Sequence, residues 1–175
     1  KTLKDDLLHR DFTINAMSIE LDELLDARLG LSDENLTDLI IDPYHGIADL
    51  KSKIIHIVNV KAFDEDSLRI LRAFSLACIF GFKIDAKTIK LIKAKKDKLI
   101  QVSYERIRDE LFKILDRPDT FKYLEEMDKL KVLEVILPEI LVMRRISQGP
   151  YHHLDVWKHT LETIKQLDGL LAEVK

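Results

Sequence analysis

The chain has 175 residues, of which 46% are hydrophobic and 34% charged, with a formal net charge of −3, five Gly and four Pro. That balance excludes a disordered or collagen-like chain and supplies enough apolar surface for one domain or two small ones. No run approaches the roughly 18 apolar residues of a membrane helix, and a single cysteine, Cys78, excludes an internal disulfide.

The first residues, Lys1-Thr2-Leu3-Lys4-Asp5-Asp6, do not have the pattern of a signal peptide. The absence of an initial Met, and an end at Leu170-Leu171-Ala172-Glu173-Val174-Lys175 inside a helical pattern, lead to the expectation of a piece excised from a longer protein. Residues 1–60 mix short strand-like and helical pieces. Ile14 to Leu21, Leu39-Ile40-Ile41 and Ile54 to Val58 read as strands, with an acidic, loop-like stretch over 22–38. Gly46 is expected to permit a tight turn after Asp42-Pro43, and Asp49 to brace the segment that follows.

Beyond Ala62 the signal is helical. The spacing predicts helices over 65–80, 85–97, 104–116, 119–129 and 155–173, broken at Gly81, Pro118, Pro138 and Gly149-Pro150. The predicted fold class is α+β, predominantly α-helical: the C-terminal edge of an α/β domain over 1–62, a helical domain over 63–148, and a further helical segment over 149–175.

The central stretch is Glu65-Asp66-Ser67-Leu68-Arg69-Ile70-Leu71-Arg72-Ala73-Phe74. On a helix capped by Asp64 and stopped by Gly81, Ile70, Leu71, Phe74, Ala77 and Cys78 share one face, so Cys78 is expected to be a buried free thiol. Glu65, Arg69 and Arg72 gather on the other face, with Asp66 at their border. An Asp and an Arg one turn apart combine two acceptors with a planar donor fork, the equipment that hydrogen-bonds a nucleobase edge. The ordinary alternative is a surface ion pair.

The next helix is lysine-rich, and Lys90, Lys93 and Lys96 are candidates for RNA phosphates, against the alternative of a solvated face. Ser103 then reads as an N-cap with Glu105 in the first turn, and Ile107, Leu111, Ile114 and Leu115 as the buried stripe of the 104–116 helix. Glu105, Arg106 and Glu110 are expected to form a scaffold network.

Four stretches, taken in order, resemble one family, the class II tRNA nucleotidyltransferases (CCA-adding enzymes) and the bacterial poly(A) polymerases. They are His9-Arg10-Asp11-Phe12-Thr13-Ile14-Asn15-Ala16, Asp42-Pro43-Tyr44-His45-Gly46-Ile47-Ala48-Asp49-Leu50, the Glu65-Asp66 to Arg72 motif, and Ser103-Tyr104-Glu105-Arg106-Ile107-Arg108-Asp109-Glu110-Leu111. The likeness covers residues 8–160. It implies the edge of a nucleotidyltransferase head followed by an all-α neck and body. It assigns Asp66 and Arg69 to the Watson–Crick edge of an incoming ATP or CTP, with Arg72 in support, and puts Arg10, Asp11 and Asn15 near the ribose and triphosphate. The implied partner is the 3′ end of tRNA or another RNA, in the cytoplasm.

Departures from the pattern are His9 and His56 where the family usually has Arg, and Ser75-Leu76 where it has Arg-Phe, leaving fewer cations. The family's metal-binding carboxylates precede the Arg-Asp motif, so ligands for the expected Mg²⁺ fall outside this chain. No residue in it is expected to be catalytic or to bind metal, and the chain alone is expected not to transfer nucleotides. Residues 151–160 resemble the opening of an HD-type domain, with Asp155 and His159 on one helix face but no His-Asp dipeptide to complete a metal site. The competing readings are a helical nucleic-acid- or protein-binding module without a nucleotide site, and the front of an HD phosphohydrolase.

Overall fold

A computed structural model describes residues 2–22, 25, 37–147 and 153–173. The first part carries helix α1 (Leu3–Leu8), a 3₁₀ turn at Thr13–Asn15, helix α2 (Gly46–Ser52) and strand β1 (Ile54–Ile55). The second carries helices α3 (Ala62–Glu65) and α4 (Arg69–Phe80), strand β2 (Lys83–Ile84), and helices α5 (Ala86–Lys95) and α6 (Tyr104–Leu115). Helices α7 (Thr120–Lys129), α8 (Leu133–Ile136), α9 (Ile140–Met143) and α10 (Val156–Glu173) complete it.

The predominantly helical α+β class holds, but the strands are much shorter than the alternating pattern predicts. Ile14 to Leu21 is mostly a 3₁₀ turn and irregular chain with one bridge, Ser18 to Ile41, while the run from Ile54 keeps two strand residues plus a bridge between Phe12 and Ile57. Apolar content is sufficient for burial there, and the pairing partners for a longer ladder are absent among the described residues. The acidic 22–38 stretch and the Gly149-Pro150 break fall largely outside those residues.

A strand absent from the sequence reading, β2, pairs in parallel with β1, matching Ile54 to Lys83 and Ile55 to Ile84. This ladder joins the two parts, and their side chains form one core. Phe12, Ile55 and Ile57 pack in the same cluster as Leu68, Ile70, Leu71, Phe74, Ile92 and Ile114. The buried face of α4 is the predicted one, with Ile70, Leu71, Phe74 and Ala77 fully inside. Cys78 is a buried free thiol, and burial pushes it up to about 11. Gly81 ends α4 in the left-handed conformation at φ 68°, its N–H donating to the Ala77 carbonyl.

Three local expectations are corrected. Gly46 does not supply the unusual turn conformation: His45 does, at φ 62°. Gly46 is required instead by close approach, because a Cβ there would lie 2.1 Å from the Thr13 carbonyl oxygen. Asp42 anchors the same corner by accepting the Gly46 and Ile47 N–H groups at 2.7 and 2.9 Å. On α6, Leu115 is 44% exposed and Glu110 is buried in its stead, and Ser103 stands at the N-cap without a side-chain bond. Near the C-terminus, Asp155 accepts the Lys158 N–H at 2.8 Å and so starts α10, the polar helix-start role.

Gly46→Ala is expected to destabilise the chain by about 1–3 kcal/mol through overpacking against backbone. Gly169→Ala, where an added Cβ meets nothing within 4 Å inside α10, should raise stability by about 0.5–1 kcal/mol. Urea denaturation followed by circular dichroism measures both.

A candidate nucleotide-binding cleft

Asp66 decides the shape of the site. The predicted continuous 65–80 helix with an Asp64 cap is instead two helices. Asp64 lies inside α3, and Asp66 is extended at φ −148°, ψ 107°, separating α3 from α4. The Asp66 carboxylate accepts the Leu68 N–H at 3.1 Å, so the side chain competes with the backbone and opens α4 rather than riding on it. Its other oxygen accepts from Arg106 Nη2 at 2.7 Å.

Around this break lies a cleft of about 450 Å³ lined by Asp6, His9, Arg10, Asp11, Asp66, Leu68, Arg69, Arg72 and Arg106. Five of the six proposed nucleotide-binding residues therefore line one concavity. Four arginines face three aspartates there, a surplus of positive charge suited to an anionic ligand.

Arg69 is less exposed than a surface pair would be, its side chain only 16% accessible. Its Nη1 donates to the Ala62 carbonyl and to Glu65, each at 3.2 Å, and its Nη2 to the His9 carbonyl. The fork thus ties the end of α1 to α3 as well as facing the cleft. His9, in the place of a family arginine, lies 3.4 Å from Glu65. Arg10 is exposed and among the described residues its side chain reaches only Asp6, at 3.0 Å, which leaves it open to a phosphate.

Asp11 is buried and fully engaged. Oδ1 accepts from Asn15 Nδ2 at 2.6 Å and from the Phe12 N–H at 3.1 Å, and Oδ2 accepts from Arg72 Nε at 2.5 Å. Asn15, the sixth proposed residue, does not line the cleft and acts on it through Asp11. Behind Arg72 sits Glu110, also buried, holding Ser75 Oγ and Lys113 Nζ, each at 2.6 Å. Of the expected scaffold trio, Arg106 and Glu110 take part and Glu105 stays exposed. The cleft roles of Asp6 and His9 escaped sequence reasoning. The burial of Glu110 had a signal, since it lies three residues after Ile107 and four before Ile114, on the apolar stripe.

Lys90 and Lys93 are exposed on α5, while Lys96 pairs with Asp97 at 3.1 Å, and none of the three lines the cleft. Two neighbouring lysines are already engaged: Lys95 and Lys98 both clamp Asp64, the latter at 2.8 Å. Hydrogen bonds from Lys95 first, and from Lys98 second, hold the Asp64 carboxyl down to about 2. The Asp49 carboxylate accepts from Thr13 Oγ1 at 2.6 Å and lies 3.5 Å from His56 Nδ1, a brace inside the first part.

Among the described residues no group of three or more His, Cys, Asp or Glu side chains is placed to hold a metal ion, and no helix is long and apolar enough to cross a membrane.

The family profile described as "Poly A polymerase head domain" matches residues 1–56, and that described as "Probable RNA and SrmB- binding site of polymerase A" matches 81–143. The chain belongs to the class II tRNA nucleotidyltransferase and poly(A) polymerase family. The A-adding tRNA nucleotidyltransferase of Deinococcus radiodurans is 31% identical over 170 residues, covering 94% of this chain and 36% of the relative. The Thermotoga maritima CCA-adding enzyme complexed with tRNA superposes with a TM-score of 0.66 at 34% identity, over 79% of this chain and 32% of that one. The Bacillus stearothermophilus CCA-adding enzyme in complex with CTP does so at 0.61 and 30% identity, over 74% and 29%. The chain thus spans about one third of the length of the relatives it matches.

A depressed carboxyl contributes stability above its unfolded value, about 3.9, which is lost as pH falls through its folded one. The stability advantage of the native chain over Asp64→Asn should therefore be full above about pH 4 and close as pH approaches about 2. Urea melts of both chains across that range measure it.

Proposed function

We propose that this chain carries the nucleotide-recognition half of a template-independent RNA nucleotidyltransferase, which adds CMP and AMP, or AMP alone, to the 3′ end of tRNA or another RNA in the cytoplasm. The observation that carries the reading is the gathering of Arg10, Asp11, Asp66, Arg69 and Arg72 around one positively biased cleft. Asp66 and Arg69 are the base readers, a protein template in place of a nucleic acid one. Arg72 supports them, Arg10 meets phosphate, and Asp11 with Asn15 braces the ribose side.

For Asp66 to accept from a base, Arg106 must share or release its oxygen. For Arg69 to donate, it must use the N–H groups left over from His9, Ala62 and Glu65. The family generally uses a divalent metal. The described residues do not form a site for one, and Mg²⁺ is proposed for the whole enzyme. The division into a head edge to residue 62, a helical neck over 63–148 and a further segment from 149 is part of this reading.

The test is titration of the ¹⁵N-labelled chain with CTP, ATP, GTP and UTP. Resonances of Arg10, Asp66, Arg69 and Arg72 are expected to shift with CTP or ATP at lower concentration than with GTP or UTP. Because Arg69 also ties α1 to α3, its removal would disturb folding, and Arg69→Lys is the cleaner variant. It keeps the charge but loses the planar fork, and base preference should fall by about 1–3 kcal/mol, by analogy with base-edge readout. Unchanged preference in a folded Arg69→Lys chain would count against the assignment.

RNA binding by α5 is tested separately. Replacing Lys90, Lys93 and Lys96 with Gln should weaken binding of a single-stranded RNA and lower the slope of log affinity against log salt by about 0.7 for each phosphate that is no longer neutralised. An unchanged slope would leave this face merely solvated.

A further inference from the structure

Helix α6 carries more apolar surface outside than its core contacts use. Its inward stripe is Ile107, Glu110 and Ile114, one of them an acid, while Tyr104, Phe112 and Leu115 stand 82%, 57% and 44% exposed on the outside. That reverses the usual allocation of large apolar and charged side chains. At about 100° per residue, Tyr104, Arg108, Leu111, Phe112 and Leu115 fall on one outward stripe, which runs about 17 Å over three turns.

Concave surface accompanies the stripe along its whole length. A hollow of about 410 Å³ lies among Ile100, Tyr104 and Pro138, and one of about 310 Å³ among Tyr104, Leu111 and Leu137. A third, of about 500 Å³, lies against Phe112 and Leu115. Ile100, 74% exposed, and Leu137, 40% exposed, carry the apolar surface past the start of the helix. Scattered apolar residues on a surface need no explanation, but a contiguous strip with a polar rim marks an interaction site.

The charges beside the strip say what it accepts. Glu105, Asp109 and Asp116 lie within about 40° of one another along one flank of α6. Arg108 donates to Asp109 at 3.0 and 2.8 Å, and Lys113 donates to Glu110 at 2.6 Å, so both nearby cations are already engaged. The carboxylates of Glu105 and Asp116 are exposed and have no partner among the described residues. A negative flank repels phosphates, which disfavours a nucleic acid here. An antiparallel twofold pairing of α6 with that of a second copy would bring the two acidic flanks together, which disfavours a dimer.

We propose that the outer face of α6 is a docking site for an amphipathic helix of another protein. Apolar side chains of that helix at i, i+3, i+4 and i+7 spacing lie on the strip from Tyr104 to Leu115, and its Lys or Arg side chains meet Glu105 and Asp116. None of Tyr104, Phe112 and Leu115 lines the nucleotide cleft, so the inference stands without the nucleotide reading.

The experiment uses two fluorescent helical peptides of about 18 residues, five turns. Both have leucine at that spacing, and the other positions are lysine in one and glutamate in the other. Anisotropy reads binding to this chain and to the whole enzyme. The lysine peptide should bind both, at least about ten-fold tighter than the glutamate peptide. Tyr104→Ala and Phe112→Ala should each weaken it about ten-fold, with melting curves close to that of the native chain because both side chains are exposed. Glu105→Gln combined with Asp116→Asn should weaken it about three-fold and flatten its salt dependence.

Equal binding of the two peptides, binding that survives both aromatic substitutions, or no binding would each overturn the proposal. Binding by the chain but not by the whole enzyme would overturn it in favour of the enzyme's own remaining segments. Dimerisation that Phe112→Ala abolishes would assign the face to a second copy, and displacement of the peptide by oligo(U) would assign it to RNA; either result overturns the protein partner.

Discussion

The bond between Asp11 and Arg72 spans 61 residues and joins the beginning of the chain to its central helix. Taking a carboxylate out of water is costly unless a cation and further donors meet it, and Asp11 receives all of these: Arg72, Asn15 and the Phe12 N–H. Breaking a pair of this kind by removing one partner costs about 3–5 kcal/mol, because it strands the other charge. Much else follows from its placement. Phe12, next to Asp11, is driven to the centre of the core, and the 3₁₀ turn at Thr13–Asn15 is held where Gly46 must pass it without a side chain. Arg72 is thereby pinned on the rim of the cleft, opposite the Asp66 break.

How much of this was legible depended on the range of the interaction. Helices α4 to α7 and α10, and the apolar face of α4, follow from a 3.6-residue period, a property of neighbouring residues, whereas the single-turn helices α8 and α9 are too short to show one and were not read. Gly81 was readable for the same reason, as a residue that takes φ 68° without strain. The four motifs also located the cleft, since five of its proposed residues do meet. The break at Asp66 was not readable, because an apolar pattern continues across it and only the side chain's bond to the Leu68 N–H ends the helix. The 2.1 Å approach behind Gly46 depends on a residue 33 positions away, and β2 exists only because β1 lies beside it. Glu110 was expected in a scaffold network, and its neighbours on the apolar stripe, Ile107 and Ile114, account for its burial there.

Electrostatics in this chain are largely internal. A count of lysines around α5 suggests a broad positive face, yet Lys95 and Lys98 are tied to Asp64, and Lys96 to Asp97. That pairing steadies α3, whose Glu65 in turn meets Arg69. What faces outward on α5 is narrower than the sequence alone conveys.

The ladder between β1 and β2 is only two residues long on each side, and its bonds run between main-chain atoms. Peptide groups are the same whichever side chains they carry. Substitutions at Ile54, Ile55, Lys83 and Ile84 can therefore accumulate without altering how the seam is hydrogen-bonded, provided the inward pair stays apolar. A joint made of peptide groups ties the first part of the chain to the second with little demand on side-chain identity, and the chain superposes on the Thermotoga maritima enzyme at a TM-score of 0.66 with 34% identity.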